Sequence, residues 1–381
     1  MNLKMIVASA LVGWAIAAHA QSSVTLYGAI DTGLLYQSAN ALNFQSKVNL
    51  GHAYELKDAG IFTSFWGIKG AEDVGGGYRV NFRLQGAFSS TNGKLGLSDT
   101  PGSAAIFNQQ ATLGISGPFG SIDAGRQFVP MIFAMADTDV RGAQFFGSIL
   151  TAWLGMNQAA GWQGTSTNGP IGALYDSNAI VYQSPKFHGL SLGLEYAPGG
   201  VAGQFQGGTR ESAVLRYSNY GLNLSAAYYN GHDTNPFITT ATGAIITVPS
   251  TGQNNNRFYY LGAMYTFHDL SVSTSYSIGK NPANSSHDDF EMISGGIGYK
   301  FSPALKVTSG FYYLKDRNVS SSQSDLFAVG AEYNFSKTTV AYVQVGHVNN
   351  RGKMSQTIAY AAPVPEGTSS TAAMIGIRHT F

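Results

Sequence analysis

The sequence closes with Met374-Ile375-Gly376-Ile377-Arg378-His379-Thr380-Phe381, a stretch in which apolar and polar side chains alternate before a terminal aromatic residue. Successive side chains of a β-strand point to opposite faces, so this alternation predicts a strand with one apolar face. A soluble secreted β-protein has no evident reason to finish on such a strand. The stretch therefore favours a β-barrel whose outer surface meets lipid.

The N-terminal segment has the features of a cleavable export signal. Lys4 is followed by an apolar stretch over residues 5–18 and by the small-x-small site Ala18-His19-Ala20. The stretch is shorter than the roughly 20 residues that a membrane-spanning helix needs. We therefore predict a signal peptide over residues 1–20, cleaved after Ala20, and a single barrel domain over residues 21–381. Export together with an apolar closing strand predicts a location in the outer membrane.

The composition excludes several classes of protein. The chain has no cysteine, so it holds no disulfide framework and no zinc–thiolate site. Without the signal peptide the basic and acidic residues balance, so no net charge directs the protein to nucleic acid. Charged residues make up 11% of the chain, against roughly 25% in soluble domains. We predict neither a cofactor nor a metal site.

Alternating segments recur along the whole chain, separated by short turns. One copy runs over residues 190–196, with Leu190, Leu192, Leu194 and Tyr196 on one face. Counting such segments from residue 24 to residue 381 gives about sixteen, an even number as single-chain barrels require. The sequence thus predicts an all-β, transmembrane antiparallel barrel, apolar outside and polar inside. A closed barrel of this size leaves an aqueous lumen.

The predicted turns share one feature, a tyrosine shortly before each of them. These residues are Tyr217, Tyr265, Tyr299 and Tyr333. Tyrosine is enriched where a membrane meets water, because its ring is apolar and its hydroxyl is polar. The pattern predicts short turns on one rim of the barrel and longer loops on the other.

Several segments resemble the trimeric general diffusion porins of Gram-negative bacteria, especially the betaproteobacterial branch. They are residues 22–31, Trp66-Gly67-Ile68-Lys69 with the turn that follows, residues 114–127, and the closing stretch. The resemblance implies a homotrimer of sixteen-stranded barrels, each with its third extracellular loop folded into the lumen. It further implies passive diffusion of small hydrophilic solutes and ions. The implied partners are outer-membrane lipid, lipopolysaccharide and the barrel assembly machinery, which would read Phe381 as a signal.

The chain departs from this family at the positions that usually carry constriction charges. Phe65, Val181 and Gln109 stand where many relatives carry arginine. The third-loop segment, residues 128–175, is long and rich in apolar side chains. We therefore expect a weaker anion preference than in related porins. The aromatic residues of the loop also leave open a substrate-specific channel for sugars or ring compounds.

Charged residues with lumen-facing parity are the candidate site residues. A loop carboxylate facing basic wall residues would create a transverse field at the narrowest point. We expect Arg79 and Arg83 to face Asp137 and Asp139 of the third loop; the alternative is that the two carboxylates bind within the loop, to Arg141. The other candidates for the pore wall are Lys69, Arg216, Lys306, Arg378, Asp31, Glu195 and Glu332.

Arg126 has lipid-facing parity on its predicted strand, which is costly unless protein covers it. The resemblance implies that this arginine packs at the subunit interface.

An outer-membrane hydrolase is the alternative of another class. The sequence Gly189-Leu190-Ser191-Leu192-Gly193 matches the nucleophile motif of some hydrolases. That motif needs a turn from a strand into a helix, whereas here it begins an alternating strand.

Overall fold

The computed structural model describes residues 23–234, 237–239, 245–282 and 287–381, and shows a closed antiparallel β-barrel. The predicted signal peptide lies outside the described residues. The strands are β1 (Ser23–Gln37), β2 (Ala53–Asp58), β3 (Ser64–Gly75), β4 (Tyr78–Phe88), β5 (Gln110–Gly117), β6 (Gly120–Phe128), β7 (Tyr175–Gln183), β8 (Leu190–Ala197), β9 (Arg210–Asn219), β10 (Leu222–His232), β11 (Phe237–Thr239), β12 (Ile245–Thr247), β13 (Asn255–Phe267), β14 (Leu270–Lys280), β15 (Asp289–Lys300), β16 (Leu305–Asp316), β17 (Gln323–Asn334), β18 (Thr339–Arg351) and β19 (Ser370–Thr380). Two helices lie between β6 and β7, namely α1 (Pro130–Asp137) and α2 (Ile149–Ala159).

Each wall strand pairs with its neighbours in chain order, and β19 returns to β1. The strands β11 and β12 form a separate hairpin in the loop after β10. At the seam Gly28 and Phe381 exchange both backbone hydrogen bonds, each 3.0 Å long. A side chain on Gly28 would clash, because its Cβ would lie 2.5 Å from the Phe381 ring. The predicted barrel of sixteen strands is confirmed, with β2 and β3 sharing one position in the wall.

That shared position is a strand broken in its middle. β2 pairs with the second half of β1, and β3 pairs with its first half. Between them lies an inward segment, residues 59–63, which begins at Ala59 with a φ of 69°. The break removes five residues from the wall and turns them into the lumen.

The outer face of the wall is apolar, as a lipid-facing surface must be. On β1 the exposed side chains include Leu26, Ile30 and Leu34, while the intervening Asp31 is buried. Three of the tyrosines before the short turns, Tyr265, Tyr299 and Tyr333, are also exposed. In the described part of the chain, no helix is long and apolar enough to cross a membrane.

The third loop, residues 129–174, occupies one side of the barrel interior. Helix α1 packs against β8, β9, β10 and β13, and α2 packs against β15 and β16. The inner wall there mixes apolar residues with small polar ones such as Ser275 and Thr308, so the expectation of a uniformly polar interior is wrong for this side. The wall residues that join the buried cluster around the loop include Phe258, Tyr260, Phe290, Met292, Tyr312, Leu314, Leu326 and Tyr342.

Candidate functional site: a constriction beside the third loop

The loop keeps its shape through local hydrogen bonds. Pro130 stands at the start of α1, where its missing N–H costs nothing. Ser148 precedes α2, accepts a 3.1 Å bond from the Leu150 N–H, and donates its own N–H to the Thr151 hydroxyl at 3.0 Å. Such a capping box fixes where a helix begins.

Asp139 holds the turn between the helices and does not face the lumen. Its carboxylate accepts from the backbone N–H groups of Arg141, Ala143 and Ile149 at 3.1–3.2 Å. The Tyr312 hydroxyl of β16 donates to it at 2.9 Å. The side chain is buried, so the prediction that Asp139 lies at the constriction is wrong. With four hydrogen-bond donors around it, this carboxylate stabilises the loop and does not contact the passing solutes.

Arg141 fastens the loop to the far wall. It is 1% exposed, and its Nε donates to the carbonyl of Gly147 at 2.6 Å. Its terminal nitrogens donate to the carbonyl of Phe146 at 2.8 Å, to Gln344 of β18 at 2.6 Å, and to Thr308 of β16. Sequence reasoning considered this arginine only as a partner of loop carboxylates. It is an anchor between loop and wall.

Asp137 pairs with Arg216 of β9 at 3.4 Å, and Arg216 also donates to Gln183 at 3.1 Å. The predicted pairing of Asp137 with Arg79 and Arg83 is therefore wrong. Arg79 lies opposite Asp73, close to the turn at the other end of the barrel. Helix α1 ends beside β9 instead. Strand parity cannot predict this, because it says nothing about the direction that a loop takes.

The inward segment is held by Asp31 of β1. The carboxylate accepts from three consecutive backbone N–H groups, those of residues 60, 61 and 62, at 2.9–3.1 Å. The Tyr342 hydroxyl donates to it at 2.7 Å. Asp31 points inward, as its parity predicts, but the inward segment covers it completely, so the prediction that it acts as a charge of the pore wall is wrong.

Arg378 of β19 completes this arrangement. Its Nη1 donates to the Phe62 carbonyl at 2.8 Å and lies 3.4 Å from Asp31. The guanidinium also lies over the Phe62 ring, 5.6 Å from its centre. Arg378 therefore belongs to the lumen side, as predicted, but one of its nitrogens is committed to the inward segment.

Lys69 and Arg83 lie directly opposite each other on β3 and β4 and line a cavity of about 390 Å³. Lys69 lies 4.9 Å from the centre of the Tyr27 ring, and Arg83 donates to Gln110 at 3.2 Å. Asp123 is the acidic side chain of this lining. Two cations against one anion leave this end of the lumen basic. The structure places both predicted wall cations here.

Three cavities lie in series along β1 to β6. One of about 400 Å³ lies among the outer loops and includes Lys57 and Lys94. It shares Gln109 and Tyr175 with a cavity of about 310 Å³ between the loop and the wall. Gln85 of this middle cavity accepts a 2.7 Å bond from Tyr27, which lies beside Lys69. The middle cavity is the smallest of the three.

Arg126 finds its partners within its own chain. It forms an ion pair with Asp99 of the second loop and donates to Asn108 at 2.6 Å, Ser177 at 2.9 Å and Thr167 at 3.1 Å. Burial alone would raise the pKa of Asp99. The attraction of Arg126, together with hydrogen bonds from Ser177 and Arg126 and the attraction of Arg210, outweighs burial and lowers that pKa below its ordinary value. The premise that another subunit must cover this charge is therefore wrong. Its place at a subunit interface stays a prediction.

Two further predicted wall charges are also engaged. Glu332 accepts from Gln144 at 2.6 Å and lies 3.3 Å from Lys306. Glu195 is buried, so the interpretation as an exposed wall charge is wrong for this residue too.

The described fold agrees with the comparisons to known proteins. A family model described as Gram-negative porin matches residues 7–353. The chain belongs to this family. It is 28% identical to outer membrane porin protein 32 of Delftia acidovorans over 99% of both chains. It is 27% identical to an outer membrane porin protein of Bordetella pertussis over the whole of both.

Two solved structures show the same fold. An anion-selective porin from Comamonas acidovorans covers 95% of this chain with a TM-score of 0.75 and 23% identity; all of that structure is matched. The in-vitro folded OmpT of Vibrio cholerae in its trimer form covers 94%, with a TM-score of 0.66 and 14% identity over 99% of its own length. This porin thus lies in the outer membrane and forms a channel for passive diffusion.

Proposed function

We propose that small hydrophilic solutes and ions cross this porin between the third loop and strands β1 to β6, and that Lys69 and Arg83 set its ion preference. The proposal rests on the three cavities that lie on this side of the barrel. On the other side the third loop packs against the wall. No reaction is proposed. The motif at residues 189–193 supports none, because it opens β8 as a turn and strand.

Replacing both Lys69 and Arg83 with glutamine should move the zero-current potential towards cation preference. The mature chain is neutral, so the preference comes from local charge, and this vestibule would lose its two cations. The shift should be largest at low salt, because the screening length is about 10 Å at 0.1 M and about 30 Å at 0.01 M. Single-channel recording under a salt gradient measures it.

The matched control removes two cations elsewhere, in a Lys280→Gln and Arg351→Gln variant. Both residues form exposed ion pairs, with Asp289 and Asp325. This variant should keep the wild-type potential. If the Lys69 and Arg83 variant also kept the wild-type potential, the proposed path past these two residues would be wrong.

We also propose that the protein is a homotrimer in outer-membrane lipid and lipopolysaccharide, inserted by the barrel assembly machinery. Family membership supports this, together with the trimer form named for the OmpT neighbour. The broad apolar outer surface needs cover from lipid or from another subunit.

Arg126 offers a test of the assembly in unheated gels. Arg126→Ala should lower the temperature at which the trimer band disappears, because it leaves Asp99 partly buried without its cation, at a cost of about 1–3 kcal/mol. Adding Asp99→Ala should recover part of the loss. A wild-type protein that migrates only as a monomer would refute the trimer.

A further inference from the structure

The middle cavity is lined by aromatic rings, although a water-filled lumen favours polar walls. Phe62 of the inward segment is 38% exposed and Phe133 of α1 is 42% exposed, both on the inside of the barrel. Phe145 and Tyr175 also line this space. Leaving such rings in contact with water costs free energy in proportion to the apolar area exposed. Rings that remain exposed in a cavity are available to an apolar ligand.

The aromatic rings of the cavity form two clusters. Phe62 and Phe145 meet edge to face, with centres 6.1 Å apart. Phe128 contacts both Phe133 at 5.6 Å and Tyr175 at 4.5 Å. The two clusters line one space of about 310 Å³, near the lower end of the range of small-molecule sites. A flat ring in this space would meet aromatic surface from both clusters.

One charged group enters the same cavity, the guanidinium of Arg378. In the part of the chain that the structure describes, every hydrogen bond it donates comes from Nη1. The donors on Nε and Nη2 remain for a ligand, and the planar fork suits a carboxylate. The neighbouring Asp31 is occupied by its three backbone donors and Tyr342. Asp31 engages the guanidinium through Nη1 alone, at 3.4 Å, so Nε and Nη2 still face no carboxylate of the described residues.

An anion would also find a path onwards. Gln85 of the cavity is two residues from Arg83 on β4, about 7 Å along a strand. Arg83 and Lys69 line the basic cavity beyond. A carboxylate leaving Arg378 would thus move towards cations.

From these observations we infer that the middle cavity is a binding subsite for small aromatic monocarboxylates. The ring lies among Phe62, Phe133 and Phe145, and the carboxylate lies at Arg378. This inference rests on the proposed path beside the third loop, and gives that path a preferred class of solute.

The test is interruption of the potassium chloride current by benzoate in single-channel recordings. Benzoate should interrupt the current at a concentration about tenfold or more below that needed for acetate, which lacks the ring; tenfold corresponds to about 1.4 kcal/mol. Benzyl alcohol, which has the ring without the charge, should interrupt it no better than acetate. Phe133→Ala should weaken the benzoate effect roughly two- to tenfold, the range expected for one aromatic contact.

Phe187→Ala is the matched control, because Phe187 is an exposed phenylalanine in the turn before β8. It should leave the benzoate effect as in the wild type. If acetate interrupted the current at the same concentration as benzoate, the rings would have no role in binding. If benzyl alcohol did so, the guanidinium would have none. The proposed path would survive either result, provided that the conductance is normal and that the Lys69 and Arg83 double variant still shifts the zero-current potential. Loss of that shift would refute the path itself.

Discussion

Arg141→Met is expected to free the third loop from the wall and to raise the single-channel conductance. The change leaves the buried carbonyls of Phe146 and Gly147, and the side chain of Gln344, without their donor. Each unsatisfied buried group costs about 1–3 kcal/mol, so the total loss should reach several kcal/mol. The thermal unfolding temperature in detergent should fall, and the conductance should become larger and noisier.

Arg351→Met is the matched control for this change. Arg351 lies at the end of β18, and its ion pair with Asp325 at 3.4 Å is partly exposed. Exposed pairs contribute about 0–1 kcal/mol, so this variant should unfold and conduct like the wild type. If Arg141→Met did the same, the remaining contacts of the loop, including the Tyr312 bond to Asp139, would suffice to hold it.

The second large effect is expected for Asp31→Leu. The substitution leaves three backbone N–H groups of the inward segment and the Tyr342 hydroxyl without an acceptor, and it leaves Arg378 without its carboxylate. Breaking a buried ionic arrangement by removing one partner costs about 3–5 kcal/mol. The segment should leave the lumen, so the conductance should rise while the unfolding temperature falls.

Asp325→Leu controls for the loss of a carboxylate, because Asp325 pairs with Arg351 at the partly exposed end of β17. It should have little effect on either measurement. A milder variant, Asp31→Asn, keeps one acceptor oxygen and should give an intermediate conductance if the barrel of Asp31→Leu does not assemble. Wild-type conductance in an assembled Asp31→Leu barrel would show that other contacts hold the segment.

The sequence predicts the wall of this barrel well, because each strand repeats one physical rule. Alternation placed Lys69 and Arg83 on the inner face, and the structure has both there. The short turns follow from the same pattern; Gly221, for example, adopts a φ of 78° that glycine tolerates. Such features depend on neighbouring residues, so they can be inferred from the chain locally.

The interior was harder to predict, because it depends on where a long loop turns. Strand parity predicts the inward direction of Asp31, and the position of Asp139 in the third loop suggests a place in the lumen. Neither predicts the backbone donors that surround these carboxylates. The aromatic residues of the loop leave open, from sequence alone, a surface for specific solutes. Trp153 and Met135 are buried against the wall instead. Among the described loop residues, Phe133 keeps a large exposed ring, and no local signal distinguishes it.

The packed third loop has a consequence for how this protein can change over evolution. Inner-face residues of β13 to β18, such as Tyr260 and Tyr312, contact the loop as they would contact a soluble core. Substitutions there alter packing volume, which typically costs about 1–5 kcal/mol. Residues on β3 to β6, such as Lys69 and Thr112, border open space instead. New solute preferences can therefore arise on one side of the barrel while the opposite side remains under selection for folding.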